Sequence, residues 1–165
     1  MPQKNKSKDY IHHWAEGCSI RPCVADYITT ASTILHRDYR KLKCSCFDNI
    51  YAWDADSFEK AKNSQHNLET VDMVFALDYG DLLMVEAKLD VQNVDNIRGE
   101  VEKKIVHTKE YLLSSPNCKR IRPSIVLFGH KHFNQLYNRY RKLRSNKTDI
   151  VPMTLSSFYQ EYFAF

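Results

Sequence analysis

The chain has 165 residues, a formal net charge of +4, 43% hydrophobic residues and 27% charged residues. These values predict one soluble globular domain over residues 1–165, with a proper core. No apolar run is long enough to span a membrane and the amino terminus lacks the apolar core of a signal peptide, so the five cysteines are expected as reduced thiols in the cytoplasm. The four glycines exclude a glycine-rich phosphate loop.

The first half of the chain predicts helices and one strand ahead of a hairpin. Pro22 is typical of a first helical turn, and the apolar residues after it recur at spacings of three and four. The predicted elements are a loose basic segment at 1–9, a helix at 22–42, a strand at 44–53, and a polar loop at 54–70 with a short helix at 57–62.

Two apolar runs, residues 71–77 and 82–89, predict the buried strands of a tight hairpin. Three charged residues lie inside these runs: Asp72, Glu86 and Lys88. Opposed residues share a face of an antiparallel pair, so a three-residue loop, 79–81, would place Asp72 opposite Lys88 and on the face of Glu86. A loop of two or four residues would place Asp72 on the other face.

These charges need an explanation, because ionised side chains are seldom buried without a partner or a metal. One alternative is a salt-bridge cluster whose charged tips reach water. The other is a site in which Asp72 and Glu86 converge on one divalent cation, with Lys88 beside it. Because the mutual attraction of two anions and one cation poorly offsets their desolvation, the metal site is favoured.

Asp72, followed after a hairpin by Glu86-Ala87-Lys88, resembles the PD-(D/E)xK signature of restriction-endonuclease-like nucleases. Val71 departs from it, since the signature has Pro there. The resemblance implies that Asp72, Glu86 and the carbonyl of Ala87 hold Mg²⁺ or Mn²⁺, and that Lys88 orients or activates the attacking water and steadies the phosphate charge.

The resemblance also implies an acidic residue on the first helix and a polar or basic residue on the helix after the motif. Asp38 is the candidate on the first helix, although a surface aspartate paired with Arg37 or Lys41 is the favoured explanation. Lys104 and His107 are the candidates on the second helix, where they are otherwise ordinary residues at the border of its apolar stripe.

The second half of the chain continues the pattern. The predicted elements are a helix at 94–113, a strand at 124–129, a basic helix at 131–143, a strand at 150–154 and a terminal helix that opens at Ser157. Both faces of the hairpin are otherwise apolar, which predicts helices on both sides of the sheet. The expected fold is therefore α/β, with a central mixed sheet and the α-β-β-β-α-β core of restriction-endonuclease-like proteins.

Positive charge is concentrated in residues 116–148, which contain nine Lys or Arg and no Asp or Glu. Its candidates for nucleic-acid binding, interleaved with tyrosines, are Lys131, Arg139, Arg141, Lys142 and Arg144. A solvated helix face or a patch for an acidic protein explains the same charges.

The sequence thus predicts a magnesium- or manganese-dependent nuclease that hydrolyses phosphodiester bonds, with DNA favoured over RNA, no membrane partner, and a homodimer as one way to cut both strands. The alternative is an inactive domain of this fold that binds nucleic acid or protein. A zinc site of Cys18, Cys23, Cys44 and Cys46 is a weaker alternative, because neither cysteine pair has the usual spacing.

Overall fold

The computed structural model describes residues 6–62, 68–95, 97–142 and 150–164. These residues form a mixed seven-stranded sheet flanked by six α-helices. The helices are Ser7–Glu16 (α1), Ala31–Asp38 (α2), Ala55–Ala61 (α3), Arg98–Leu113 (α4), Phe133–Lys142 (α5) and Leu155–Tyr162 (α6). The strands are Ile28–Thr30 (β1), Tyr51–Asp54 (β2), Met73–Asp78 (β3), Asp81–Lys88 (β4), Arg120–Ile121 (β5), Ser124–Phe128 (β6) and Ile150–Thr154 (β7).

The sheet has two halves of different strand direction. Its order is β1-β2-β3-β4-β6-β7, with the short β5 also beside β4. Strands β1 to β4 pair antiparallel, whereas β6 pairs parallel with β4 and β7 parallel with β6. A parallel pair needs a crossover, and α4 and α5 lie in the two connections concerned. The predicted α/β fold with a mixed sheet is confirmed.

Helices cover both faces of the sheet, as predicted. On one face, Val74, Ala76 and Met84 pack into a core with residues of α1, α3, α4 and α5. On the other face, Phe75 and Val85 pack with residues of α2 and α6. Alternate residues of β3 and β4 therefore enter different cores, which explains why both strands read as continuous apolar runs.

Two predictions for the amino-terminal region are wrong. Residues 7–9 are not loose, because α1 buries Tyr10, Ile11 and Trp14 against the sheet. The single helix predicted at 22–42 is a 3₁₀ turn at Val24–Tyr27, then β1, then α2. The β-branched residues of β1 favour a strand, and Thr30 begins α2 by accepting a hydrogen bond from the Thr33 amide at 3.4 Å.

Other boundaries differ more modestly. The strand predicted at 44–53 is a 3₁₀ turn at Ser45–Phe47 followed by β2, whereas the short helix predicted at 57–62 is present as α3. The last helix does not open at Ser157, since the side chain of Thr154 accepts from the Ser157 amide at 3.1 Å and caps α6. Among the described residues, none of the helices combines the length and apolarity needed to cross a membrane.

The hairpin of β3 and β4 closes through a two-residue turn. Asp78 pairs with Asp81, so the predicted three-residue loop is wrong. Gly80 in this turn has a φ of 84°, a left-handed conformation that glycine adopts without strain. Between Ala76 and Asp78 the pairing shifts by one residue, so that Met73 lies opposite Val85.

The variant Gly80→Ala tests the turn. An added Cβ would lie 2.6 Å from the Asn117 carbonyl oxygen, and alanine is strained at this φ. We expect the free energy of unfolding in urea to fall by about 1–3 kcal/mol. The control is Gly99→Ala in α4, where no atom lies within 4 Å of the added Cβ and stability should stay equal or rise by up to about 1 kcal/mol. Wild-type stability of Gly80→Ala would contradict this turn geometry.

Candidate active site

The two carboxylates of the motif meet at the open end of the hairpin. Continuing the register of β3 by one residue places Asp72 beside Glu86, and not opposite Lys88 as predicted. The Asp72 amide donates to Glu86 Oε2 at 3.1 Å, and the Ala87 amide donates to Asp72 Oδ2 at 2.8 Å. A two-residue turn alone would have placed Asp72 opposite Ala87, so the one-residue shift in β3 is what brings the carboxylates together.

Glu86 is the most buried member of this group, with a relative exposure of 2%. Its Oε1 lies 2.7 Å from Nζ of Lys104 and 3.3 Å from Nζ of Lys88. Its Oε2 accepts the Asp72 amide. A buried carboxylate needs such charged and polar partners, because its desolvation is otherwise uncompensated.

Both lysines are also paired with a third carboxylate, Glu100 on α4. Glu100 Oε1 lies 2.9 Å from Nζ of Lys88 and 3.2 Å from Nζ of Lys104. The hydrogen bond from Lys88 lowers the pKa of Glu100, and the pKa of Lys104 is raised by Glu86. Glu100 was not predicted, although its i, i+4 spacing to Lys104 is a recognisable signal.

Among the charged side chains of this site, Asp72 has the pKa that lies furthest from its ordinary value. Burial, with the neighbouring Glu86 carboxylate as the second cause, raises the pKa of Asp72 to about 7. The Ala87 amide and the two lysines oppose this shift and do not cancel it. Burial and the repulsion between the two carboxylates therefore both favour a proton on the Asp72–Glu86 pair.

Tyr39 closes the opposite side of the same strand end. Its hydroxyl donates to the Ala87 carbonyl oxygen at 3.1 Å and accepts from the Leu89 amide at 3.2 Å. Burial raises the pKa of Tyr39 to about 12, with smaller contributions from Asp72 and Asp90. Because Tyr39 was predicted inside a long helix, nothing in the sequence pattern indicated this contact.

The remaining accessory candidates have different outcomes. Lys104 contacts Glu86 and belongs to the site. His107 does not face the motif, since its Nε2 lies 3.5 Å from Oε2 of a second buried carboxylate, Glu59. Asp38 is the last residue of α2 and is exposed, so the inward turn considered for it is not found.

The oxygen donors present fit a divalent metal such as Mg²⁺. Asp72 and Glu86 offer two adjacent carboxylates, and the Ala87 carbonyl lies at the same strand end. Hard oxygen ligands, few in number and supplemented by water, are what Mg²⁺ prefers. The Ala87 carbonyl already accepts the Tyr39 hydroxyl, so a metal there would use the second lone pair of that oxygen.

Those predicted basic residues that the structure describes lie on α5 and in the loop before it. Helix α5 packs on the same face of the sheet as α4, through Leu136 and Tyr140. Arg139 pairs with Asp95 at 2.9 Å, and Arg141 lies over the Tyr137 ring at 5.7 Å. Among the other candidates, Lys131 is exposed, Lys142 ends α5, and Arg144 and the side chain of Lys142 lie outside the described residues.

The four thiols of the zinc alternative are not gathered in one place. Cys44 Sγ lies 3.3 Å from Nε2 of His36. Burial raises the pKa of Cys18 to about 11, and the nearby Cys118 thiol adds to the rise. All five cysteines are free of disulfides. Among the described residues, no group of three or more His, Cys, Asp or Glu side chains is arranged to hold a metal, so a cation at the motif would depend on two carboxylates and a carbonyl.

Comparisons with known proteins add no relative. No protein-family model, curated protein or solved structure matches this chain. The chemistry proposed below therefore rests on the residues and contacts of the chain itself.

The raised pKa of Asp72 predicts a pH-dependent stability in EDTA. The folded state keeps a proton that the unfolded state releases above about pH 4, so stability falls as pH rises from about 4 to 7. The variant Asp72→Asn should remove up to about 1.4 kcal/mol per pH unit from this slope of unfolding free energy. Asp26→Asn, which neutralises an exposed carboxylate, should keep the wild-type slope. An unchanged slope in Asp72→Asn would contradict the assignment.

Proposed function

We propose that the protein is a metal-dependent nuclease of the PD-(D/E)xK type that hydrolyses phosphodiester bonds, with DNA as the preferred substrate. The observation that carries the proposal is that the Asp72 carboxylate binds the Ala87 amide, next to Glu86, while Nζ of Lys88 lies 3.3 Å from Oε1 of Glu86. Convergence of these side chains was the condition that the motif had to meet, and a one-residue difference in register would have separated them.

The order of elements around the site supports the same proposal. Helix α2, strands β2, β3 and β4, helix α4 and strand β6 follow one another as α-β-β-β-α-β, apart from the short α3 and β5. Strand β4 lies between its antiparallel neighbour β3 and its parallel neighbour β6. This is the arrangement expected from the resemblance stated for Asp72 and Glu86-Ala87-Lys88.

Each residue of the site has a role in this proposal. Asp72, Glu86 and the Ala87 carbonyl would hold Mg²⁺ or Mn²⁺, which lowers the pKa of a bound water and offsets charge on the phosphate. Lys88, whose side chain is partly exposed, donates to the phosphate or to the attacking water. Lys104, at 2.7 Å from Glu86, holds that carboxylate in position.

The basic surface supports a nucleic-acid substrate. The loop after β6 presents the exposed Lys131, and α5 continues with Arg139 and Arg141 on the side of the sheet that carries α4. Arg139 forms an ion pair with Asp95, so a phosphate would compete with the Asp95 carboxylate for the Arg139 guanidinium. Lysine and arginine rows beside a metal site are suited to the phosphate backbone, and we expect affinity to fall steeply with salt.

One observation favours the second candidate function, a binding module that does not cut. Both oxygens of Glu86 already have partners, and two of these partners are the ammonium groups of Lys88 and Lys104. A carboxylate neutralised in this way does not require a metal. Such a domain would bind nucleic acid through the same basic surface.

Cleavage assays separate the two functions. The wild-type protein, incubated with Mg²⁺ or Mn²⁺ and a panel of duplex DNA, single-stranded DNA and RNA, should cleave DNA. Asp72→Ala and Lys88→Ala should each lower the rate at least about 100-fold, because one removes a metal ligand and the other the donor to the reacting groups. Lys60→Ala, which removes a lysine side chain that is 71% exposed, should cleave at the wild-type rate.

Circular dichroism of each variant checks that loss of activity is not loss of folding. Undiminished cleavage by Asp72→Ala and Lys88→Ala would refute the assignment of the site. Binding of nucleic acid without cleavage of any substrate by the wild type would favour the binding module.

A further inference from the structure

A cavity adjoins the candidate active site on the opposite face of the sheet. It has a volume of about 900 Å³ and lies between the segment after α2, the ends of β4 and β6, and the start of α6. Tyr39 forms part of its wall and also donates to the Ala87 carbonyl. Leu89 and Asp90, which directly follow Lys88, form another part of the wall.

The lining of the cavity combines aromatic rings with positive charge. Tyr39 and Tyr159, both partly exposed, contribute rings to the wall, whereas Phe47 and Phe128 are buried behind it. Arg40, Lys41 and Lys43 line the same cavity, and all three are exposed to solvent. Two carboxylates, Asp38 and Asp90, also line it, so the cations exceed them by one. A flat apolar group with an attached anion matches such a surface, because the ring faces accept stacking and the cations attract a phosphate.

Several contacts hold this cavity open in its present shape. The His36 ring lies 2.9 Å from the Leu42 carbonyl oxygen, which fixes the basic segment, and Tyr39 is bound at both Ala87 and Leu89. At Gly129, a Cβ would lie 2.3 Å from the Leu89 carbonyl oxygen, so two backbones meet in the wall. A preformed cavity avoids part of the ordering cost of binding.

We propose that this cavity binds one nucleotide of the substrate strand, with the base against the aromatic wall and a phosphate at the basic residues Arg40, Lys41 and Lys43. The inference rests on the proposed function and names a substrate feature, an unpaired nucleotide beside the cleaved bond. Cavities of this size take ligands of about the size of a nucleotide. A base within a duplex is unavailable to it, so the site selects single-stranded, frayed or flipped nucleotides.

The cavity and the motif meet at the same end of the sheet. Leu89 and Asp90 follow Lys88 in a turn, which the Val91 amide closes by donating to the Lys88 carbonyl oxygen at 3.4 Å. Tyr39 lies in the cavity wall and also donates to the Ala87 carbonyl oxygen. A strand with one nucleotide in the cavity would therefore pass close to Asp72, Glu86 and Lys88.

A blocking variant tests the cavity without removing any of its packing. Ser156 lines the cavity and is exposed on α6, so Ser156→Trp fills the space with a large side chain. We expect the affinity for a fluorescently labelled single-stranded DNA of 12 nucleotides, measured by anisotropy in EDTA, to fall at least about tenfold, the effect of losing one base stack. Gln160→Trp, exposed one turn further along α6 and outside the lining, should change it less than about twofold.

A charge variant tests the phosphate end of the cavity. Lys41→Glu with Lys43→Glu should weaken binding of the same DNA more than Lys103→Glu with Lys109→Glu, two exposed lysines of α4 on the other face of the sheet. Both double variants change the net charge by the same amount, so their difference reports position and not overall charge.

The outcomes separate this inference from the proposed function. Weaker binding by Ser156→Trp, with no cleavage by the wild type, would support the cavity and refute the nuclease. Cleavage by the wild type with unchanged binding by Ser156→Trp would refute the cavity alone. Absence of any DNA binding by the wild type would overturn the cavity inference as well.

Discussion

The buried carboxylate of Glu86 is the group around which this end of the molecule is organised. With 2% of the residue exposed, its charge must be offset within the protein, and the partners come from three elements: the residue that precedes β3, the end of β4 and the helix α4. Removing one partner of a buried charge typically costs about 3–5 kcal/mol, because the remaining charge is left uncompensated. Glu86 therefore links α4 and the residue before β3 to the end of β4.

The balance of charges at this site explains why it suits a cation. Three carboxylates, Asp72, Glu86 and Glu100, face two ammonium groups, Lys88 and Lys104, so one negative charge is left over when all five are ionised. Burial and the neighbouring Glu86 carboxylate raise the pKa of Asp72, which favours a proton on this pair of carboxylates. A divalent cation would replace that proton. Proton uptake and metal binding are thus competing ways to neutralise one site.

The sequence predicted the faces of the hairpin better than its pairing. A three-residue loop was expected to place Asp72, Glu86 and Lys88 on one face, whereas a two-residue turn and a one-residue shift place Asp72 beside Glu86. Lys104 was a candidate because the resemblance implies a basic residue on the helix after the motif. Nothing in a uniformly apolar strand marks the one-residue shift in pairing between Ala76 and Asp78. The predicted turn length and the predicted partner of Asp72 were therefore wrong.

Elsewhere, contacts between residues far apart in the chain determine where a side chain points, and the local sequence pattern does not predict them. His107 lies three residues after Lys104, and the rotation between them directs it to Glu59. Tyr39 directly follows the end of α2 and reaches Ala87 from there, whereas the apolar pattern had placed it inside one long helix. The cavity beside Tyr39 is made of segments far apart in the chain, and no sequence motif marks such a site.

The most direct test of the metal centre is a crystal structure grown or soaked with Mn²⁺ and measured for anomalous scattering. We predict an anomalous peak about 2 Å from carboxylate oxygens of both Asp72 and Glu86, close to the Ala87 carbonyl. A crystal in which Mn²⁺ binds elsewhere, or in which Lys88 and Lys104 alone remain on Glu86 at saturating Mn²⁺, would contradict it.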